Sequence, residues 1–123
     1  MNIIIIGLFG LIGVYSRYFI DFNFQMAPDK FPLTTLLINL VGSFIAGIIF
    51  FYSKNNASPI IAPALLIGLC GGLTTFSSFS LQSLILVFEK QIIKSIIYLY
   101  LSPTLGILLA FLGYKFSQLL FQK

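Results

Sequence analysis

Residues 71–80 read GGLTTFSSFS and place two glycines, five hydroxyl side chains and two phenylalanines inside an otherwise apolar stretch. The 34 residues from 55 to 88 carry no ionised side chain. A continuous helix from Ile60 to Phe88 would be about 44 Å long, whereas the hydrocarbon core of a bilayer is about 30 Å thick. Such a helix would either tilt strongly or break, and the adjacent glycines and the threonine hydroxyls beside them favour a break near residues 71–75. Irregular backbone at that depth is tolerated only where protein covers it or where it lines a cavity.

The composition of the whole chain is typical of a membrane protein. Of its 123 residues, 59% are hydrophobic and 8% are charged, and the mean hydropathy is +1.05. Two further uncharged runs, 31–53 and 95–114, have 23 and 20 residues, which is enough for a helix to cross a bilayer. The N-terminal run continues as a helix to about residue 24 if the Arg17 side chain extends towards the headgroups. We therefore predict an all-α membrane protein, with one domain over residues 1–123 and spans at about 3–24, 33–52, 60–88 and 93–120.

Several classes of function are excluded by the residue types that the chain lacks. It has no histidine, one cysteine and three acidic residues, and the acids, Asp21, Asp29 and Glu89, are predicted near the ends of spans. A single chain therefore cannot supply a His/Cys metal cluster, a Ser-His-Asp triad or a pair of carboxylates within the membrane. The basic residues are scattered, so we expect no nucleic-acid partner. The sequence predicts a conduit or a packing module surrounded by lipid, and not an enzyme.

Polar and small residues repeat at helical spacing in the predicted spans. Such stripes are typical of close packing between membrane helices. An asparagine amide is different, because leaving it unmatched in hydrocarbon would cost about 4 kcal/mol, so it should face a polar partner or a wet cavity. The stripes are Gly7, Gly10 and Gly13 in the first span, Thr35, Asn39 and Ser43 in the second, and Tyr98, Ser102 and Gly106 in the fourth.

Phenylalanines follow the predicted break at positions 76 and 79, with Ser80 beside them. Hydroxyls, the Asn39 amide and the edges of aromatic rings all present positive potential without a net charge. Together they could solvate a small anion that has lost part of its water, while no fixed cation would hold it too tightly to leave.

Three stretches resemble the small four-helix fluoride channels, the Fluc or CrcB family. They are GVYSRY at 13–18, TLLINLVGSFIAG at 35–47 and, most specifically, GLCGGLTTFSSFS at 68–80. The resemblance implies a fluoride-specific channel that conducts fluoride passively and lowers its concentration in the cytoplasm. It also implies a bacterial plasma (inner) membrane location and an antiparallel, dual-topology homodimer with two pores and a sodium ion at the subunit interface.

The resemblance also assigns roles to individual residues. Arg17 matches an arginine near the aqueous vestibule, and the main-chain carbonyls of Gly71 and Thr74 match ligands of the sodium ion. One departure is Gly106, where the family often has a further hydroxyl. The residues expected to line the fluoride pore are Asn39, Phe76, Phe79, Ser80, Tyr98 and Ser102, together with Thr35 and Ser43 from the polar stripe of the second span.

Two other classes of four-span protein are alternatives. A proton-coupled small multidrug transporter needs a carboxylate deep in the first span, whereas Asp21 lies near the end of that span. A non-conducting assembly subunit accounts for the small-residue stripes but gives no reason for the polar ones.

The distribution of basic residues predicts insertion in both orientations. Four spans place Lys54, Lys115 and Lys123 on one side of the membrane, and the other side holds four basic residues, Arg17, Lys30, Lys90 and Lys94. A chain with one fixed orientation normally has a clear excess of Lys and Arg on its cytoplasmic side. The alternative is a single orientation fixed by one charge near the first span, such as Arg17.

Overall fold

The computed structural model describes residues 2–24, 27–55 and 58–121, and the regular structure in these ranges is helical. Helix α1 is Asn2–Asn23 and α2 is Leu33–Asn55. The third span consists of the helical pieces Ile61–Pro63, Ala64–Cys70 and Gly71–Leu73, together called α3, and then α4, Phe76–Phe88. Helix α5 is Ile92–Phe121. Lys123, which contributes to the predicted charge balance, lies outside the described residues.

The described part of the chain contains four helices that are long and apolar enough to cross a membrane. They are Ile3–Asn23, Leu33–Lys54, Ile61–Phe88 and Ile92–Phe121. The predicted all-α fold with four such helices is therefore confirmed, and so is the bend in the third.

The bend has two components. The segment Ala64–Cys70 is a π-helix. This form is rare in proteins, but where it occurs it is often found at a functional site. Helical geometry then stops at Thr74 and Thr75, whose backbones are extended, with φ/ψ of −79°/155° and −146°/119°. It resumes at Phe76 as α4.

Glycines bring the helices together backbone to backbone in two places. Between α2 and α5, a Cβ on Gly47 would overlap the Ala110 carbonyl, and a Cβ on Gly113 would overlap the Phe44 carbonyl. Between α1 and α3, Gly13 lies against Leu69 in the same way. Gly7, in the same predicted ridge as Gly13, has no atom of the described residues within 4 Å of its Cβ position, whereas Gly10 lies against Gly68 and Gly72 of α3.

The buried core lies where α2, α4 and α5 meet. Leu36, Phe79 and Tyr98 form its centre, and the partly buried side chains of Phe31, Leu40 and Leu101 pack around it. One aromatic residue of the predicted pore, Phe79, is therefore fixed by the core at the start of α4.

Candidate functional site

The Asn39 side chain is bonded to both backbone groups of Thr75, at the break between α3 and α4. Its Oδ1 accepts from the Thr75 N–H at 2.8 Å, and its Nδ2 donates to the Thr75 carbonyl at 3.2 Å. An amide has two N–H donors, so one N–H of Asn39 is left after these bonds. Asn39 thus meets the requirement for a polar partner through the broken backbone, and it borders a cavity as well.

The hydroxyl groups of Thr74 and Thr75 form further hydrogen bonds at the break, next to the contact with Asn39. The Thr74 hydroxyl donates to the Cys70 carbonyl at 2.8 Å, and the Thr74 N–H donates to the same oxygen at 2.9 Å. Thr75 is the N-cap of α4, because its Oγ1 accepts from the Ser78 N–H at 3.1 Å. Oγ1 of Thr75 also donates to the Ser78 hydroxyl at 3.1 Å. The Thr75 hydroxyl thus satisfies the Ser78 N–H, which the interruption takes out of the helical pattern, whereas the Cys70 carbonyl keeps its helical donor and gains a second one from Thr74.

The same bonds change the surroundings of the two carbonyls that were predicted to bind a cation. In a continuous α-helix, the Gly71 carbonyl would accept from the Thr75 N–H and the Thr74 carbonyl from the Ser78 N–H. Here the Thr75 N–H donates to Asn39, and the Ser78 N–H donates to the Thr75 hydroxyl. Both carbonyls have therefore lost their usual helical donor.

A groove of about 410 Å³ runs along the break, between α2 and α5. It brings together side chains from three predicted spans, and its lining within the described residues includes no charged side chain. The lining residues are Asn39, Ser43, Thr74, Thr75, Phe76, Phe79, Ser102, Pro103, Gly106, Ile107 and Ala110. Five of the eight residues predicted to line a pore are thus in one place.

The two phenylalanines differ in their exposure. Phe76 is 79% exposed and Phe79 only 7%, although their ring centroids are 5.6 Å apart. Phe79 meets the Tyr98 ring edge to face, with centroids 5.0 Å apart, and Tyr98 meets Phe31 in the same way at 5.4 Å. Edge-to-face contacts fix ring orientation, because the positive edge of one ring meets the negative face of the other. Phe79 is held in place, whereas Phe76 projects from the groove.

Two other predicted pore residues, Thr35 and Tyr98, meet at Gln82. The Gln82 Nε2 donates to Thr35 Oγ1 at 2.7 Å, and the Tyr98 hydroxyl donates to Gln82 Oε1 at 3.1 Å. We call these three side chains the Gln82 junction. Sequence reasoning did not select Gln82, although an amide within an uncharged span, three residues after Phe79, is the signal that would have found it.

The Gln82 junction borders a second cavity, of about 320 Å³, at the end of the helices that holds the α1–α2 connection. Its lining is Asp21, Phe24, Ala27, Pro28, Lys30, Pro32, Thr34, Thr35, Gln82, Ile85 and Leu86. Next to it, the Lys94 ammonium group donates to the Asp29 carbonyl at 2.9 Å and ties the connection to α5. The ring contact of Phe79 with Tyr98 therefore links the groove to the Gln82 junction, and Thr35 and Gln82 of the junction line a cavity that also has the charged side chains of Asp21 and Lys30.

The remaining two site residues lie elsewhere. Ser80 is exposed, and its hydroxyl donates to the Phe76 carbonyl of its own helix at 2.9 Å, so the structure does not place it in the groove lining. Arg17 lies beside the break, where its Nε donates to the Gly72 carbonyl at 3.4 Å. It is not among the described residues that line either polar cavity.

Gly106, where the family often has a further hydroxyl, faces Ser43 across the groove. A Cβ at this position would lie 3.5 Å from the Ser43 hydroxyl oxygen, an ordinary contact distance. The glycine is therefore not required by close packing, in contrast to Gly47 and Gly113.

Comparison with known proteins identifies a family and several relatives that this chain resembles. The family described as "CrcB-like protein, Camphor Resistance (CrcB)" matches residues 4–114. A protein of Shewanella frigidimarina (strain NCIMB 400) named fluoride-specific ion channel FluC is 38% identical, over 99% of this chain and 98% of its own length. Proteins of the same name from Shewanella woodyi (strain ATCC 51908 / MS32) and Shewanella baltica (strain OS185) are 37% and 36% identical over the same shares.

Proposed function

The chain belongs to the CrcB-like family, and from that premise we propose that it is a fluoride-specific ion channel. It conducts fluoride passively across the membrane and so lowers the fluoride concentration in the cytoplasm. The four apolar helices and the bacterial relatives make it a multi-pass bacterial membrane protein, which we assign to the inner membrane.

The observation that carries this proposal is the uncharged, donor-lined groove. Asn39, Ser43 and Ser102 supply N–H and O–H groups, and the two phenylalanines supply ring edges. Neutral donors can replace part of the hydration shell of a small anion, and without a fixed cation the anion is free to leave again. A proton-coupled transporter would need a carboxylate in this place, and the groove lining in the described residues has none.

We place the conduction path along the groove, the ring contact of Phe79 with Tyr98, and the Gln82 junction. A fluoride ion in the groove passes the edge of Phe79, then the Tyr98 hydroxyl and the Gln82 amide, and reaches the cavity rimmed by Lys30. We therefore assign Thr35, Tyr98 and Gln82 to the path, although they do not line the groove itself. Ser80 is assigned no direct contact with the ion, because its hydroxyl is used within α4.

The proposal includes a sodium ion held by the main-chain carbonyls of Gly71 and Thr74. Their fit rests on the loss of both usual helical donors at the break. Carbonyl oxygens are hard ligands, which suit a hard cation. A bound cation would stabilise the break by neutralising the negative end of the α3 dipole. Thermal stability and flux should therefore depend on the sodium concentration, and equal values in sodium and lithium at every concentration would contradict the site.

The proposal also includes an antiparallel homodimer. Phe76 is 79% exposed at the mouth of the groove, and a second copy packed there would cover it. A two-fold interface through residues 71–75 would bring two copies of the break together and double the number of carbonyls around the cation. The near-equal basic charge on the two sides of the membrane supplies the two orientations that such a dimer needs.

Single-cysteine labelling of intact cells tests the two orientations. In a Cys70→Ser background, reporters replace Ser58 and, in a separate variant, Gln91, two uncharged residues at opposite ends of the helices. Dual topology predicts that an impermeant reagent labels about half of the molecules at each site. Full labelling of one site and none of the other would establish a single orientation.

The main experiment is a flux assay with purified protein in liposomes. Fluoride efflux down its gradient, measured with a fluoride electrode, supports the channel. Proton-driven uptake of lipophilic cations would instead identify a transporter, and neither activity would identify an assembly subunit. Chloride efflux under the same gradient is the control for leakage.

A further inference from the structure

Arg17 makes an unusual contact for a charged residue in an apolar helix. It is half-buried in α1, and its Nε donates at 3.4 Å to the carbonyl of Gly72, in the last piece of α3. An ionisable side chain within a membrane span normally has a functional reason, since its burial is costly. The contact lies two residues before Thr74, where helical geometry stops.

Glycines on both helices make this contact reachable. A Cβ on Gly72 would lie 2.6 Å from the Gly10 carbonyl and 3.2 Å from the Val14 nitrogen, and a Cβ on Gly13 would overlap the Leu69 carbonyl. Larger residues would push α1 away from the end of α3. Arg17 is one turn after Gly13, so the close approach brings its side chain alongside the Gly72 carbonyl.

The Arg17 charge faces a helix end rather than a cavity. The C-terminal end of a helix carries a partial negative charge, and a cation there is favourable. Asp21, one turn further along α1, lines the cavity of about 320 Å³, whereas Arg17 lines neither that cavity nor the groove in the described residues. Arg17 is therefore placed to act on the backbone of the break.

We propose that Arg17 is a positioning residue: its Nε–H holds the Gly72 carbonyl and so fixes the direction in which the chain leaves α3. That direction sets the position of Thr75, which caps α4, and with it the positions of Phe76 and Phe79. This differs from the role that the family resemblance implies, in which the arginine lies near a vestibule. The effect on flux rests on the proposed channel function, but the effect on the backbone does not.

The atom that makes the contact permits a sharp test. Glutamine carries its amide nitrogen, Nε2, the same number of bonds from Cα as the arginine Nε, so Arg17→Gln keeps a donor in place and removes the charge. Arg17→Lys keeps the charge but has a methylene group at that position. Arg17→Met has neither donor nor charge. Lys115→Gln, at an exposed basic residue of α5, is the control for loss of one charge elsewhere.

Two measurements are made on each full-length variant in liposomes: amide hydrogen exchange of a peptide covering residues 73–79, and fluoride efflux. With Arg17→Gln and Lys115→Gln we expect exchange close to that of the wild type. With Arg17→Lys and Arg17→Met we expect amide exchange to be faster, on the order of tenfold, because the Gly72 carbonyl loses its donor. We also expect fluoride efflux from these two variants to be slower. If Arg17→Met does not fold, the comparison of Arg17→Gln with Arg17→Lys decides.

Three outcomes would overturn the proposal. They are retention of slow exchange and efflux by Arg17→Lys but not by Arg17→Gln, equal impairment of both, and wild-type behaviour of all three variants. The first would show that the charge matters rather than the donor. If the wild type conducts no fluoride, the channel function is wrong, and the exchange data alone still test the position of Arg17.

Discussion

The groove and the Gln82 junction are both built from neutral polar side chains, but they use their donors differently. In the junction, the Gln82 amide and the hydroxyls of Thr35 and Tyr98 bond to one another. In the groove, Ser43 and Ser102 border open space beside the ring of Phe79. Donors that are committed to other protein groups stabilise the fold, and donors that face a cavity are free to bind an ion. Substitutions in the groove should therefore change flux more than stability, and substitutions in the junction should change both.

The largest effect is expected from Asn39→Asp. Two like unit charges 4 Å apart repel each other by about 4 kcal/mol at an effective dielectric constant of 20, so fluoride flux should fall about a thousandfold. The new carboxylate would keep an acceptor for the Thr75 N–H but would lose the donor to the Thr75 carbonyl, so the free energy of unfolding should also fall, by about 1–3 kcal/mol. Flux from liposomes measures the effect, and Asn39→Leu, which lacks both donor and acceptor, is the neutral control. A folded Asn39→Asp protein with normal flux would remove this residue from the path.

The next largest effect is expected from the aromatic rings. Isoleucine keeps apolar bulk but has no ring edge, so Phe79→Ile and Phe76→Ile should each lower the flux by about tenfold or more. The two should differ in stability, because only Phe79 is buried and packs against Tyr98. Thermal unfolding in detergent separates the two effects. If both variants conduct at the wild-type rate, the rings serve packing alone.

Gln82→Leu tests the junction. It leaves the Thr35 hydroxyl without its donor and the Tyr98 hydroxyl without its acceptor, which should lower the free energy of unfolding by about 1–3 kcal/mol. Flux should fall with it. The control is Thr35→Val, which keeps the shape of the side chain and removes one acceptor. An unchanged unfolding free energy in Gln82→Leu would show that the junction is not a stabilising network.

The smallest effect is expected from Gly106→Ser, which adds a hydroxyl to the groove opposite Ser43. One neutral hydrogen bond contributes about 1 kcal/mol net, so flux should rise by about fivefold at most, with little change in stability. Gly113→Ser makes the same chemical change on the same helix, but there a Cβ overlaps the Phe44 carbonyl. That control should destabilise the protein by about 1–3 kcal/mol. Equal loss of stability in the two variants would contradict the open space at Gly106.

Sequence reasoning located the spans and the bend because their signals are local. The lengths of the uncharged runs predict the spans, and the paired glycines and threonines of residues 71–75 predict the bend. The cost of leaving an amide unmatched in hydrocarbon also predicted that Asn39 needs a polar partner or a wet cavity. The identity of that partner could not be predicted, since Thr75 is 36 positions away and the contact depends on how α2 packs beside the break.

Contacts between distant segments account for the other differences. Gln82 lies on the same helix as the phenylalanines, but its role becomes visible only when Thr35 and Tyr98 are brought to its two ends. Arg17 bonds to a carbonyl 55 residues away, which no pattern of side chains predicts. The serine hydroxyls of FSSFS illustrate the reverse case. Ser80 bonds within its own helix, a local alternative that residue type alone does not distinguish from lining a pore.

The π-helical segment Ala64–Cys70 has a consequence for how this span tolerates changes in length. A π turn closes its hydrogen bond over one more residue than an α turn, and here the Gly71 N–H accordingly donates to the Leu66 carbonyl, five residues back. Deleting one residue from the segment would let it relax to an α-helix. The contact of Gly72 with α1, and the residues after Gly72, would then keep their positions. The reason is that the π turn contains one residue more than an α turn, and the deletion removes only that extra residue. The segment Ala64–Cys70 is thus the place in the third span where we expect a one-residue deletion to be absorbed, whereas the same deletion between Phe76 and Phe79 would rotate the two rings relative to each other by about 100°.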